Sequence, residues 1–154
     1  MDKETFTLKV MESEETLYRI SISMLKNEKD CEDAVQETIL TAYSKLKSLK
    51  NEEHFRTWLI RILINKCNRM LNNRKRSIIT GDFNEENADT IDVNVNMEIK
   101  LALENLEPKI RIVMVMYYVE DFSITEIHRV LKIPEGTVKS RLSKGRQLMR
   151  LELK

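Results

Sequence analysis

The scarcest residues constrain this chain most. Only 3 glycines and 2 prolines occur among 154 residues, and these two residue types supply tight turns and break helices. Few turns leave little room for many short strands and favour long helices. Apolar residues recurring at three and four residues support this. Phe6, Val10, Leu17, Ile20, Met24 and Leu25 mark a first helix within residues 5–26. A polar break at 27–30 follows, with Asp30 as candidate cap and acidic residues in the next turn suiting the helix dipole. Ala34, Val35, Thr38, Ile39, Ala42 and Tyr43 form the stripe of a second helix over about 31–46. After a polar connection at 47–53, Phe55, Trp58, Leu59, Ile62, Leu63, Cys67, Met70 and Leu71 form a wide apolar face over about 55–73.

The period is lost at 74–96, RKRSIITGDFNEENADTIDVNVN, where a glycine and several Asn and Asp gather. This composition predicts a flexible linker and a domain boundary. From Met97 the helical period resumes through Ile99, Leu101, Leu103 and Leu106 and stops at Pro108. The run IRIVMVMYYV at 110–119 is β-branched enough to suggest a strand. Helical flanks and the lack of a partner strand favour a buried helix. A short helix at 123–131, a turn at 132–135 and a basic helix at 136–151 complete the chain. The expected fold is all-α: a helical domain over 1–73, a flexible linker over 74–96, and a helix-turn-helix domain over 97–154.

Charge is informative through its distribution. The net charge is only +1, yet residues 97–154 hold 11 basic and 8 acidic side chains, against 12 and 12 in residues 1–73. Cys31 and Cys67 lie far apart with no histidine at ligand spacing, so two reduced thiols and no metal or cofactor site are expected. No apolar run reaches the roughly 18 residues of a membrane span. The polar start MDKETFTLKV is unlike a signal peptide. A cytoplasmic location is expected. No Ser/His/Asp order, glycine-rich phosphate loop or histidine cluster appears, so neither enzyme activity nor a small-molecule substrate is expected; His54 and His128 stand alone.

Three constellations point to binding. In SITEIHRVLKIPEGTVKSRLSKGRQLMR, two helices a turn apart, the second basic, have the form of a helix-turn-helix. Pro134 has the φ of a first helical position. Val138, Leu142 and Leu148 face inward. Lys139, Ser140, Ser143 and Lys144 project from the opposite face, flanked by Arg141 and Arg146. Cations suit phosphates, and lysine with short hydroxyls suits base edges. The second constellation runs from Arg56 to Arg76, with seven basic residues, none acidic, and Asn65, Asn68, Asn72 and Asn73 interleaved. That mixture suits a nucleic-acid strand. Trp58 lies on its apolar face and is read as core. The third is EKDCEDAVQE at 28–37, with five acids and one lysine. It is either a solvated helix start or a docking surface for a basic partner.

Asp33-Ala34-Val35-Gln36-Glu37-Thr38 with Ala42-Tyr43, Phe55-Arg56-Thr57-Trp58-Leu59 with Arg61-Ile62 and Asn65, LENLEPKIRIV, and Ile133-Pro134-Glu135-Gly136-Thr137-Val138-Lys139-Ser140-Arg141-Leu142 occur in this order. The series resembles the extracytoplasmic-function (ECF) sigma factors of bacterial RNA polymerase, over nearly the whole chain except the linker. The resemblance implies a promoter-specificity factor whose N-terminal domain docks on the polymerase β′ subunit and captures the melted −10 element. Its C-terminal domain would read the −35 element in duplex DNA and also contact the polymerase near the flap of the β subunit, and the linker would pass the RNA exit path. By position, Asp33, Gln36 and Glu37 would belong to the polymerase surface. Residues 47–53 with Arg61, Asn65, Lys66 and Arg69 would face the −10 strand, and Lys139, Ser140, Arg141, Lys144 and Arg146 the −35 element. An anti-sigma factor is the expected regulator. His128 stands where the family has a small alanine, Lys132 where a turn glycine is usual, and Glu107 where a proline is common. Two other readings remain: a helix-turn-helix regulator with a signal-receiving N-terminal domain, and an adaptor, which would leave both basic stretches unexplained.

Overall fold

The computed structural model describes the backbone of residues 1–80 and 97–153 and the side chains of 1–76 and 97–153. Among the described residues there are helices and turns but no strands. The expected linker falls mostly at 81–96, outside the described residues.

The first bundle holds α1 (Lys3–Leu25), α2 (Glu28–Ser44) and α3 (Phe55–Thr80), each packed on the other two. Asp2 caps α1 by accepting from the Thr5 N–H at 2.8 Å. Lys26, left-handed at φ 55°, ends it. The next helix starts earlier than its apolar stripe suggests. Asn27 rather than Asp30 is its cap, accepting from the Asp30 N–H at 2.9 Å. The buried face of α2 is narrow and built of small residues, Cys31, Ala34, Thr38 and Ala42. Small side chains let α1 and α3 approach closely, and their larger Leu17, Ile20, Leu59 and Leu63 fill the space. The 47–53 connection contains two short 3₁₀ turns, Leu46–Ser48 and Glu52–His54. Residues 74–80, expected to be linker, continue α3 as helix. No glycine or proline interrupts them, and Arg74 is anchored by donating to the Leu25 carbonyl at 2.7 Å and pairing with Asp30.

The second group holds α4 (Met97–Glu104), α5 (Pro108–Met114), α6 (Ile124–Leu131) and α7 (Glu135–Glu152). Pro108 opens α5, its missing N–H costing nothing there. The β-branched run is helical, but its second half widens into a π turn, Val115–Val119. Asp121, at φ 59°, then redirects the chain. Ser123 and Glu126 form a reciprocal capping box at the start of α6. Pro134 stands one position ahead of α7, as its cap.

The two groups pack together. α5 and the π turn lie on α1, and α6 lies on α3, so the apolar core runs through both without a break. Polar groups pin this seam. Glu120, whose side chain is 1% exposed, takes both nitrogens of the Arg19 fork, Nε at 2.6 Å and Nη2 at 3.0 Å. Arg56 donates to the Glu120 carbonyl and lies over the Phe122 ring at 4.0 Å. The guanidinium of Arg111, a residue 3% exposed, donates to the carbonyls of Ser23 at 2.9 Å, Leu106 at 3.0 Å and Glu104 at 3.2 Å. It thereby closes the C-terminal ends of α1 and α4 at once.

Candidate nucleic-acid interface

The helix-turn-helix is formed by α6 and α7. Val138, Leu142 and Gly145 are the buried face of α7. Gly145 allows close contact with α5: a Cβ there would stand 2.5 Å from Met114 Sδ and 3.2 Å from Ile110 Cγ2. With that face inward, Lys139, Ser140, Ser143 and Lys144 are exposed on the other side, together with Gln147. No acidic residue lies between Gly136 and Leu151, so this face offers cations and short hydroxyls without a competing carboxylate. The flanking arginines point elsewhere. Arg146 donates to the Tyr118 hydroxyl at 3.2 Å. Arg141 lines a crevice of about 290 Å³ at the seam, beside Ile112, Leu131 and Asn68.

The turn is fixed from α6. Lys132 is left-handed (φ 57°, ψ 44°) and its N–H donates to the His128 carbonyl at 2.9 Å. The His128 Nδ1 lies 2.6 Å from the Ile133 carbonyl. Thr125 donates its hydroxyl to Glu135 at 2.9 Å.

On α3, Asn65, Asn68, Arg69 and Asn72 are exposed at helical spacing, continuing the line of Arg61. The sequence-predicted strand contacts therefore share one stripe, except Lys66. Lys66 turns aside to pair with Glu37 of α2 at 3.9 Å. Arg61 is half-buried under α6, donating to the Arg129 carbonyl at 3.1 Å. Beside it, the 3₁₀ connection, His54, Trp58, Arg61 and Arg129 enclose a cleft of about 260 Å³. Trp58 is half-buried: one side packs on Phe55 at 5.9 Å between ring centroids and the rest lines this cleft.

Asp33, Gln36 and Glu37 are exposed on α2, and Leu40, 71% exposed, extends their face by one turn. Cys31 and Cys67 are fully buried, and desolvation pushes their thiols up to about 11 and about 12. Among the described residues no cluster of His, Cys, Asp or Glu could hold a metal, and no helix is long and apolar enough to cross a membrane.

The residues that sequence reasoning missed are those of the seam and the turn: Arg19, Arg56, Arg111, Glu120 and His128. Arg111 had a visible signal, a lone cation inside the apolar run 110–119. His128 also had one, as the departure from the family's small alanine, and Arg56 was visible only as part of the basic stretch 56–76; Arg19 and Glu120 lie among ordinary surface-like charges and had none.

Comparisons with known proteins agree with this architecture. The family model for Sigma-70 region 2 matches residues 10–77, and that for Sigma-70, region 4 matches residues 96–149. The chain is 29% identical to the ECF RNA polymerase sigma factor SigW of Bacillus subtilis, over 99% of this chain and 91% of that protein. It is 27% identical to the RNA polymerase sigma factor SigV of the same organism, over 94% and 88%. The fold matches the sigma factor RpoE of Bartonella quintana, solved with the anti-sigma factor NepR, at TM-score 0.84 and 24% identity over 97% of both chains. It also matches CnrH, solved with the cytosolic domain of CnrY, at TM-score 0.74 and 22% identity, covering 99% of this chain and 89% of that one. With region 2 over the first bundle and region 4 over the helix-turn-helix, the chain belongs to the sigma-70 family, as an ECF sigma factor acting in transcription initiation.

Proposed function

We propose that the chain divides the two halves of promoter recognition between its two helical groups. The helix-turn-helix over 97–154 reads the −35 element, with Lys139, Ser140, Ser143 and Lys144 of α7 in the major groove. Arg141 and Arg146 turn outward to phosphates once DNA is present. The bundle over 1–73 docks on core polymerase through Asp33, Gln36, Glu37 and the neighbouring Leu40. It holds the melted −10 strand along Arg61, Asn65 and Arg69, with Lys66 released from Glu37. The observation that carries this reading is the exposed, acid-free face of α7, opposite a buried face seated on α5.

Reading two elements a fixed distance apart requires both modules on one partner, and the polymerase supplies it. Two weak contacts then reinforce each other through effective concentration. Free in solution, this nearly neutral chain binds DNA poorly. The seam adds a reason: Arg61 is bonded to α6 and half-buried against it, so its guanidinium is engaged until the two groups part. An anti-sigma factor acts by holding this closed arrangement. RpoE of Bartonella quintana, whose fold matches, was solved with the anti-sigma factor NepR, and CnrH, whose fold also matches, with the cytosolic domain of CnrY. The site of action is the cytoplasm, where polymerase and promoters are found. No step requires a catalytic residue of this chain.

The test is run-off transcription with bacterial core polymerase, this protein and fragmented genomic DNA of its source. Discrete transcripts that depend on the protein support the reading, and their start sites give the two elements. Polymerase binding without transcripts would make the chain an adaptor; neither would return it to the ordinary helix-turn-helix regulators. Reversing the charges of Asp33 and Glu37 should weaken polymerase docking while leaving the fold intact, since both are exposed.

A further inference from the structure

The junction between α6 and α7 decides how the recognition helix leaves the domain, and its bonding is unusual. The N-terminus of α7 has no side-chain cap. Lys132 holds a left-handed conformation that disfavours any residue with a Cβ. Neither feature by itself holds the junction in one geometry. His128 engages two successive residues of it. Its carbonyl accepts from the Lys132 N–H at 2.9 Å, and its imidazole Nδ1 bonds the Ile133 carbonyl at 2.6 Å. The Ile133 carbonyl belongs to the peptide that leads into Pro134, whose φ is already restricted, at −58°. Holding that carbonyl therefore fixes the peptide plane from which α7 starts.

We infer that His128 is a positioning residue for −35 recognition: its Nδ1–H orients α7, and with it Lys139, Ser140 and Lys144, on the DNA. This rests on the reading of α7 as the recognition helix. The chemistry is specific. A carbonyl oxygen only accepts, so Nδ1 must carry the hydrogen, as the Nδ1–H tautomer or the imidazolium. The bond therefore survives protonation of the ring. Thr125, one turn earlier on α6, donates its hydroxyl to the Glu135 carboxylate, side chain to side chain and exposed, so contacts from α6 flank Pro134 on both sides while only that of His128 holds the backbone.

The test uses holoenzyme and a promoter recovered from the run-off assay, with its −35 element intact or scrambled. Four chains are compared: the wild type, H128A, H128N and H128Q. The readout is the ratio of initiation on the intact template to that on the scrambled one. H128A should lower this ratio about fivefold, the factor corresponding to one ordinary hydrogen bond. It should leave initiation on the scrambled template unchanged. H128N should restore the ratio, because its amide nitrogen hangs from Cγ as Nδ1 does; H128Q places the amide one carbon further out and should not. In the unmodified chain, nitrogen-15 spectra of the imidazole should show Nδ1 protonated at neutral pH, the H128N spectrum assigning which of the two histidines is which. A wild-type ratio in H128A, no recovery in H128N, or a bare Nδ1 would each overturn the inference. Loss of the ratio in a K139A/K144A chain alongside a wild-type ratio in H128A would remove the positioning role and keep the recognition helix. No effect of K139A/K144A would remove the recognition reading itself.

Discussion

At the scale of single residues, burial decides what each side chain can do. Gly145 is buried in the middle of α7 because α5 leaves no room for a side chain. Substituting it by alanine recovers helix propensity but forces buried Met114 to shift at Sδ and Cγ and presses on Ile110 Cγ2, so the two effects oppose and the net change should be small. Gly145→Val adds branched bulk against Ile110 as well and should cost about 1–3 kcal/mol. Urea unfolding of both variants checks the ordering. The two cysteines behave as small apolar residues, and the thiolate, the reactive form, is suppressed by desolvation. An aromatic disulfide reagent should label neither thiol in the folded chain at neutral pH and both in urea. Their thiol pKa values are raised in the folded state, so the stability they contribute is complete below the ordinary thiol value of 9.0. It is lost as pH rises from there towards about 11 and about 12. Each pH unit past 9 costs about 1.4 kcal/mol per thiol. A chain with both cysteines replaced by alanine should be less stable at pH 7 but show a flatter decline between pH 9 and 11, measured by urea midpoints across that range.

At the scale of elements, helix starts are written in short polar signals. Asp2, Asn27 and Ser123 each accept a backbone N–H from a residue three further on. The capping box at Ser123 and Glu126 is the strongest of these, and it opens the helix that supports the recognition helix. Ser123→Ala should cost about 1 kcal/mol and loosen α6 before the rest of the domain. Amide exchange should report it as faster exchange confined to the first turn of α6. Two helix ends were legible without a glycine: the left-handed residues that close α1 and α6 are Lys26 and Lys132, where the polar break at 27–30 and the turn at 132–135 had been expected. One end was not. The extension of α3 to Thr80 was hidden because residues 74–80 combine a basic cluster with a small apolar run and look like linker. Tertiary anchoring of Arg74 under α1 and α2 tips that balance. The π turn at Val115–Val119 that follows α5 was not legible at all, since nothing in the run distinguishes it from the helix before it.

At the scale of the whole molecule, the seam is the feature with the largest consequences. Glu120 sits almost without solvent between Arg19 and the chain's own turn. Removing the carboxylate leaves the Arg19 fork without its main partner. Glu120→Ala should weaken the closed arrangement by about 3 kcal/mol, the lower end for a broken buried pair because Arg19 can be rehydrated. Small-angle scattering should show a larger radius of gyration for this variant than for the wild type, while circular dichroism keeps the same helical content. Unchanged dimensions would mean that the apolar contacts of α6 on α3 and α5 on α1 hold the closed form alone.

The periodic apolar positions, the rarity of breakers and the order of the motifs were enough to determine an all-helical chain, the identity of its inward faces and its family. These are local properties: which face of a helix is apolar does not depend on what eventually covers it. The candidate contacts on α7 and along α3 were legible for the same reason, as polar residues left over once the apolar face was assigned. What covers each face is a non-local matter, and it altered the reading at particular residues. Arg61, Lys66, Arg141 and Arg146 share a charge and a local setting with Arg69 and Lys139. Only the packing of α6 and α2 on α3, and of α7 on α5 and the π turn, gives the first four protein partners or neighbours and leaves the last two in solvent. The burial of Glu120 and Arg111 was likewise settled in three dimensions, because a charge is buried only where distant parts of the chain bring it carbonyls or an opposite charge.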